Sequence, residues 1–204
     1  MLYICNKINL INDDLLSTFL PLLSEERRVK YNRLRSMTGK KGSVVAYLLL
    51  RLALSDEYDI NDTVEFEYAK NGKPFLRDHP DIYFNLSHSG DAAACVVAGV
   101  EVGVDIQCVK PISDKVAKRV LTSDEYRVFK DTPEPDDWFC RIWTMKESFV
   151  KKTGQGMAVD FREISAGDIN DAYVNKGAGF YCCVCGFDTD VKYVGSEDFE
   201  RFFK

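Results

Sequence analysis

Residues 138–156 read WFCRIWTMKESFVKKTGQG, and this stretch decides how the fold is interpreted. Its apolar residues recur at helical spacing, and the two glycines near its end are typical of a helix terminus. Within it, Trp143, Glu147 and Lys151 follow one another at intervals of four, so they share one face. A Glu–Lys pair at this spacing is commonly a plain surface ion pair. An indole on the same helix face, however, favours a functional site over a plain surface ion pair.

A strand upstream of this helix offers further polar groups. In EVGVDIQ (101–107) the valines and the isoleucine occupy one face, while Asp105 and Gln107 lie on the other. The segment FNLSHSG (84–90) adds Ser87 and His88. Mg²⁺ typically takes one or two carboxylates together with phosphate oxygens and water. Asp105 and Glu147 are therefore candidate ligands, and a nearby lysine and histidine would suit a bound pyrophosphate.

The rest of the chain mixes strands with helices in both halves. Alternating or apolar runs predict strands over 3–11, 63–68, 82–87, 92–99, 101–107, 179–187 and 191–195. Capping residues and apolar periodicity predict helices from Asp13, from Ser24, over 43–55, from Ser113 and from Thr122. The glycines at 39 and 42 are expected to break the helix that begins at Ser24. This pattern predicts an α+β protein of two subdomains, 1–100 and 101–204, that meet near residue 100.

Composition excludes several classes of protein. The 204 residues carry a net charge of −5, which argues against a general nucleic-acid binder. No apolar run reaches the roughly 18 residues of a membrane span, and the first residues lack a secretory pattern. Seven cysteines without framework spacing favour reduced thiols in a cytoplasmic protein. The run RRVKYNRLRSMTGKK (27–41) has seven basic residues and no acidic one, which is typical of a solvated helix but also suits a small polyanion.

Four segments occur in a fixed order along the chain. They are GKP (72–74), FNLSHSG (84–90), GVDIQ (103–107) and WTMKESFVKKTGQG (143–156). Together they resemble the surfactin-type 4′-phosphopantetheinyl transferases. The resemblance implies two similar α/β subdomains related by pseudo-twofold symmetry, with coenzyme A in the cleft between them. It also implies Mg²⁺-dependent transfer of the 4′-phosphopantetheine arm from coenzyme A to a serine of an apo acyl- or peptidyl-carrier protein, which releases 3′,5′-ADP.

The resemblance assigns roles to individual positions. Asp105 and Glu147 would hold Mg²⁺, Glu147 is also a candidate base, and Lys151 would contact phosphate and favour the leaving group. Gln107 stands where many members carry glutamate, and it would reach the metal directly or through water, the latter being favoured because Mg²⁺ dehydrates reluctantly. The contacts to coenzyme A would come from Arg27, Lys30, Ser43, Lys73, Ser87, His88 and Lys151. Gly42 replaces a residue that is often basic in the family.

The expected macromolecular partner is the carrier protein. Carriers of this kind are typically acidic, so the basic helix near Ser113–Leu121 is the expected docking face, and two subdomains in one chain favour a monomer. Two other functions stay open. One is a non-catalytic module that binds coenzyme A or a carrier, and the other is a Mg²⁺-dependent hydrolase of a nucleotide pyrophosphate. The presence of Asp105, Glu147 and Lys151 favours the transferase over the binding module.

Overall fold

A computed structural model describes residues 1–156 and 159–203. The helices are α1 (Asp13–Phe19), α2 (Glu25–Arg33), α3 (Met37–Tyr58), α4 (Asp114–Val120), α5 (Ser123–Asp131), α6 (Pro135–Thr153) and α7 (Ser196–Phe203). The strands are β1 (Leu2–Cys5), β2 (Phe66–Tyr68), β3 (Pro74–Leu76), β4 (Tyr83–Ser89), β5 (Ala92–Ala98), β6 (Gly103–Cys108), β7 (Ala172–Gly177), β8 (Phe180–Cys185) and β9 (Val191–Tyr193). The expected α+β class is confirmed.

Two sheets form the framework. The first has the order β4-β5-β1-β9, in which β1 pairs antiparallel with β5 and parallel with β9. The second has the order β6-β8-β7 and is antiparallel throughout. Helix α3 packs on the first sheet, and α6 packs on the second together with α4 and α5. Apolar side chains of both sheets form a further buried core between them. β2 and β3 form a separate hairpin.

The expected break in the helix at Gly39 and Gly42 is wrong. Helix α2 already ends at Arg33, and α3 begins at Met37 and runs through both glycines. Ser36 caps the start of α3 by accepting a hydrogen bond from the Gly39 N–H at 3.1 Å. A Cβ added at Gly42 would lie 2.7 Å from Nδ1 of His88. Gly42 therefore lets the helix approach β4 closely, and this packing outweighs the low helix propensity of glycine.

Other elements follow the predicted capping chemistry. The Thr122 hydroxyl accepts from the Glu125 N–H at 3.2 Å, and the Glu125 carboxylate accepts from the Thr122 N–H at 2.8 Å. Ser24 and Ser113 cap α2 and α4 as expected. The first strand is shorter than 3–11, since it ends at Cys5, and α6 begins earlier than expected, at Pro135. A proline fits the first turn of a helix because its missing N–H would have no partner there.

The C-terminal segment returns to the first sheet. Strand β9 pairs with β1, and Val194 and Phe199 are buried in the core beneath that sheet. The ring of Phe199 packs edge-to-face on Phe19, with centroids 6.1 Å apart. The division into 1–100 and 101–204 and the pseudo-twofold symmetry stay predictions. Among the residues that the structure describes, no helix combines the length and the apolarity that crossing a bilayer requires.

Candidate active site

Strand β6 lies directly against helix α6. A Cβ added at Gly103 would meet the backbone oxygen of Ser148 at 2.0 Å and the backbone nitrogen of Lys152 at 2.4 Å. Only glycine permits this approach, since the atoms that it would displace belong to the backbone. The close contact brings Asp105, two residues further along β6, next to the face of α6 that carries Glu147 and Lys151.

Three predicted residues meet across β4, β6 and α6. The Lys151 ammonium donates to Oδ1 of Asp105 at 2.6 Å and to Oγ of Ser87 at 3.0 Å. The Ser87 hydroxyl donates to the same carboxylate oxygen at 2.8 Å. Asp105 is only 6% exposed, and its second oxygen, Oδ2, is buried without a hydrogen-bond partner among the described residues. A buried carboxylate oxygen without a partner is costly unless a cation or donor meets it.

Glu147 provides a second buried carboxylate beside this cluster. It is 7% exposed, and its pKa is raised by burial and by the negative charge of Asp105, which Lys151 only partly offsets. Within the described part of the chain, no group of three or more Asp, Glu, His or Cys side chains gathers at one point. Two carboxylates, one with an unpartnered oxygen, fit a cation that takes its remaining ligands from phosphate and water, as Mg²⁺ does.

A set of cations faces this cluster. Partial desolvation of His88, together with the positive charges of Lys30, Arg27 and Lys151, lowers its pKa to about 4. The pKa of Lys30 is lowered by desolvation and then by the positive charge of Arg27. Like charges held this close repel one another, so the site favours a bound anion.

Arg27 and Ser43 form the buried end of the cation set. The Arg27 guanidinium donates through Nη2 to the Ser43 carbonyl at 2.8 Å and to the Ser43 hydroxyl at 3.1 Å. It also lies over the rings of Tyr47 and Phe66. Arg27 is 6% exposed, and its Nε has no partner among the described residues. The contacts of Arg27, Lys30 and Ser43 with coenzyme A stay predictions.

Comparisons with known proteins identify the family of this chain. The sequence profile described as "4′-phosphopantetheinyl transferase superfamily" matches residues 101–186, and that described as "4′-phosphopantetheinyl transferase, N-terminal" matches residues 12–101. The chain is 34% identical to the 4′-phosphopantetheinyl transferase Sfp of Bacillus subtilis (strain 168) over 150 residues, which cover 72% of this chain and 67% of the relative. The chain belongs to the 4′-phosphopantetheinyl transferase family. The predicted family and enzyme class are thereby confirmed.

Two further similarities are more limited. The 4′-phosphopantetheinyl transferase psf-1 of Bacillus pumilus is 34% identical over 149 residues, which cover 72% of this chain and 64% of that protein. The crystal structure of Thermotoga maritima holo-[acyl-carrier-protein] synthase matches with a TM-score of 0.35 and 24% identity, over 42% of this chain and 61% of that one.

Two lysines of this transferase, Lys73 and Lys146, have structural partners. The Lys73 ammonium donates to the Lys152 carbonyl at 2.6 Å, so it lies at the C-terminal turn of α6, and its predicted contact with the nucleotide stays a prediction. Lys146 is fully buried and donates to the carbonyls of Val120 and Phe161 and, at 2.5 Å, to Glu125. All three of its protons are thus engaged, so Lys146 holds the surroundings of α6 together.

Gln107 lies next to the candidate site and lines an apolar cavity. Its Nε2 donates to the Cys108 carbonyl at 3.2 Å, and its predicted role at the metal stays a prediction. The cavity has a volume of about 620 Å³ and lies between α4 and α6. It is lined by Gln107, Cys108, Lys110, Ile112, Val116, Arg119, Val120, Phe139, Cys140, Trp143 and Phe161.

Of the seven cysteines, all free thiols, six are buried and Cys108 is half-buried.

Asn85 and Ser89 belong to the surroundings of the site and were not predicted from the sequence. The Asn85 side-chain oxygen accepts from the Val104 N–H at 3.0 Å, and the Ser89 hydroxyl accepts from the Cys108 N–H at 3.2 Å. Their only signal in the sequence is the alternation of polar residues along FNLSHSG, which places them on the same face of β4 as Ser87.

Proposed function

We propose that this transferase moves the 4′-phosphopantetheine arm of coenzyme A to a serine hydroxyl of an apo acyl- or peptidyl-carrier protein, with Mg²⁺, and releases 3′,5′-ADP. The observation that carries the proposal is the cluster of Asp105, Ser87 and Lys151, with the unpartnered Oδ2 of Asp105 beside the buried Glu147. The names of the relatives support the transferred group.

The chain's own residues supply positioning and charge. Asp105 and Glu147 would hold Mg²⁺, which when bound neutralises negative charge on the pyrophosphate; Gln107 would support it through water. Lys30, Arg27, Lys73, Ser43 and His88 would hold the phosphates and the nucleotide end of coenzyme A. Phosphoryl transfer depends mainly on such positioning and electrostatic stabilisation.

The bond changes are those of a displacement at phosphorus. The serine oxygen of the carrier bonds to the β-phosphorus of coenzyme A, and the bond from that phosphorus to the bridging oxygen of the nucleotide breaks. Glu147 would take the proton of the serine hydroxyl as the general base. Lys151 stabilises the charge that develops on the departing 3′,5′-ADP.

The carrier would dock beside the apolar cavity. Helix α4 and its flanks present Lys115 and Arg119 in exposed positions, and Arg119 also lines the cavity. Lys118 is already paired with Asp114 at 2.8 Å, so less of its charge is available to an acidic partner. Two subdomains in one chain would favour action as a monomer, and the free thiols support a cytoplasmic location.

Intact-mass measurement on an apo carrier protein tests the proposal. Incubation with coenzyme A and Mg²⁺ should add one phosphopantetheine to the carrier and release an equal amount of 3′,5′-ADP. Consumption of coenzyme A without a mass change on the carrier would show a hydrolase instead. Binding of either partner without consumption would show a binding module. Repeating the assay over a panel of acyl and peptidyl carriers would identify the preferred substrate.

A further inference from the structure

Beside the apolar core that the two sheets share, strands β4 and β6 come into contact. Each is an edge strand, β4 of the first sheet and β6 of the second, and the two do not pair through a backbone ladder. Edge strands present backbone N–H groups without sheet partners, and when buried these groups need another acceptor. Here the acceptors are side chains of β4: Asn85 and Ser89 each accept from a β6 N–H, and Ser87 between them donates to a β6 carboxylate.

The three contacts form a regular series, which we call the side-chain ladder. Its rungs are Asn85 Oδ1 with Val104 N–H at 3.0 Å, Ser87 Oγ with Asp105 Oδ1 at 2.8 Å, and Ser89 Oγ with Cys108 N–H at 3.2 Å. A second bond strengthens the last rung, since the Cys108 thiol donates to the Ser89 carbonyl at 3.0 Å. These β4 side chains thus add polar contacts between the sheets to the apolar core that the sheets share.

The first rung is the one that bears on Asp105. Val104 directly precedes Asp105, so a bond to its N–H fixes the backbone from which the Asp105 side chain projects. Asn85 and Val104 are both buried, and a lost acceptor there would leave an amide without a partner. The bond from Ser87 cannot replace the bond from Asn85, because it ends on the Asp105 carboxylate and would shift together with that carboxylate.

We propose that Asn85 is a positioning residue: through the Val104 N–H it sets the place of Asp105, and so the orientation of Oδ2 toward a bound cation. This inference rests on the proposed function, because it concerns the carboxylate that would hold Mg²⁺. Supporting residues of this kind typically change metal affinity or activity by about 10–100-fold when they are removed.

Calorimetric titration of Mg²⁺ into the protein saturated with coenzyme A tests the role of Asn85 without requiring transfer. Asn85→Ala should weaken Mg²⁺ binding by about tenfold or more, whereas coenzyme A affinity measured without Mg²⁺ should change by less than about threefold. Ser89→Ala is the matched control. It removes a rung of the same ladder four residues further along, away from Asp105, and should leave Mg²⁺ affinity within about threefold.

Equal losses of Mg²⁺ affinity in Asn85→Ala and Ser89→Ala, or no loss in either, would overturn the positioning role. If Asn85→Ala does not fold, amide hydrogen exchange on the native protein decides: Val104 should gain protection when Mg²⁺ joins coenzyme A, and Cys108 should not. An unchanged Val104 amide would overturn the inference. If the native protein binds neither coenzyme A nor Mg²⁺, the proposed function itself fails, which is a distinct result.

Discussion

Lys151 and Lys152 are neighbours in sequence with different surroundings. Lys151 contacts Asp105 and Ser87 inside the site, whereas Lys152 pairs with Asp171 outside it. Lys151→Ala should lower the rate of transfer at saturating coenzyme A by about 10²–10³, because a cation aimed at developing charge is lost. Pre-steady-state transfer measures this rate. Lys152→Ala is the matched control and should stay near the native rate; equal effects would refute the assignment.

His88 should make stability depend on pH in a defined window. Its pKa is about 4 in the folded protein and near 6.5 when unfolded, so the folded state resists protonation. The titration of His88 therefore does not reduce the free energy of unfolding above pH 6.5. Below that, the unfolded state binds a proton that the folded state does not, so stability is lost as pH falls from 6.5 toward 4. Urea unfolding at pH 7 and pH 4.5 should show a larger loss for the native protein than for His88→Gln. Parallel losses in both proteins would contradict the shifted pKa.

At the scale of residues, the sequence predicts which groups meet but not all of their partners. Asp105, Ser87 and Lys151 are found together as strand alternation and helix spacing suggest. Asn85 was missed because its partner is a backbone amide on a strand of another sheet, which no local period reveals. Arg27 is nearly buried under Tyr47 and Phe66, whereas its run of basic neighbours gives the pattern of an exposed helix.

At the scale of elements, Gly103 controls how closely β6 and α6 pack. Gly103→Ala should lower the free energy of unfolding by about 1–3 kcal/mol or more, since the new methyl group meets backbone atoms that cannot move aside. It should also reduce transfer, because β6 carries Asp105. Gly99→Ala is the control, as its added Cβ has no heavy atom within 4 Å. Urea titration of both variants gives the comparison, and similar midpoints would contradict the close packing.

Helix α4 should contribute mainly to the encounter with the carrier. Reversing charge at Lys115 and Arg119 together should raise the carrier KM by about tenfold at low salt and flatten its salt dependence, because rim charges steer association. The turnover number should change little. Lys118→Gln should have a smaller effect, since Asp114 already neutralises that lysine. Kinetics with an acidic carrier at several salt concentrations distinguish these outcomes, and an unaffected KM would remove α4 from the docking face.

The elements themselves were predicted well where capping or alternation is strong, as at Thr122 and along β6. The path of α3 was not, because the two glycines near its start resemble a helix stop. Their actual reason is tertiary: the imidazole of His88 lies where a side chain of residue 42 would be. Local propensity carries no information about a neighbour that is some 46 residues away in sequence.

At the scale of the whole molecule, β9 and α7 tie the end of the described chain to its first strand. Phe199 is fully buried against Phe19, so Phe199→Ala should cost about 3–5 kcal/mol of stability.

Both tryptophans lie on α6, so their fluorescence reports the second sheet's side, while far-ultraviolet circular dichroism reports all helices. In the native protein the two urea transitions should coincide. Separate midpoints would show that the sheets unfold independently.

The pairing of the last strand with the first sheet is the feature of the fold that the sequence predicts least well. VKYVG (191–195) was predicted as a strand, but its partner could not be predicted, because short strands near the end of a chain pair equally well with either sheet by pattern. The parallel pairing of β9 with β1 depends on the whole chain between them, so it belongs to topology and not to local preference.

This topology has a consequence for synthesis on the ribosome. Strand β1 leaves the ribosome before β5 and β9, yet β9, its parallel neighbour, follows only after about 90 further residues beyond β5 have been translated. At roughly 5–20 residues per second, the nascent chain carries an open, apolar strand edge for several seconds. We expect a chaperone that shields exposed strands to increase the yield of folded protein most when it acts during this interval.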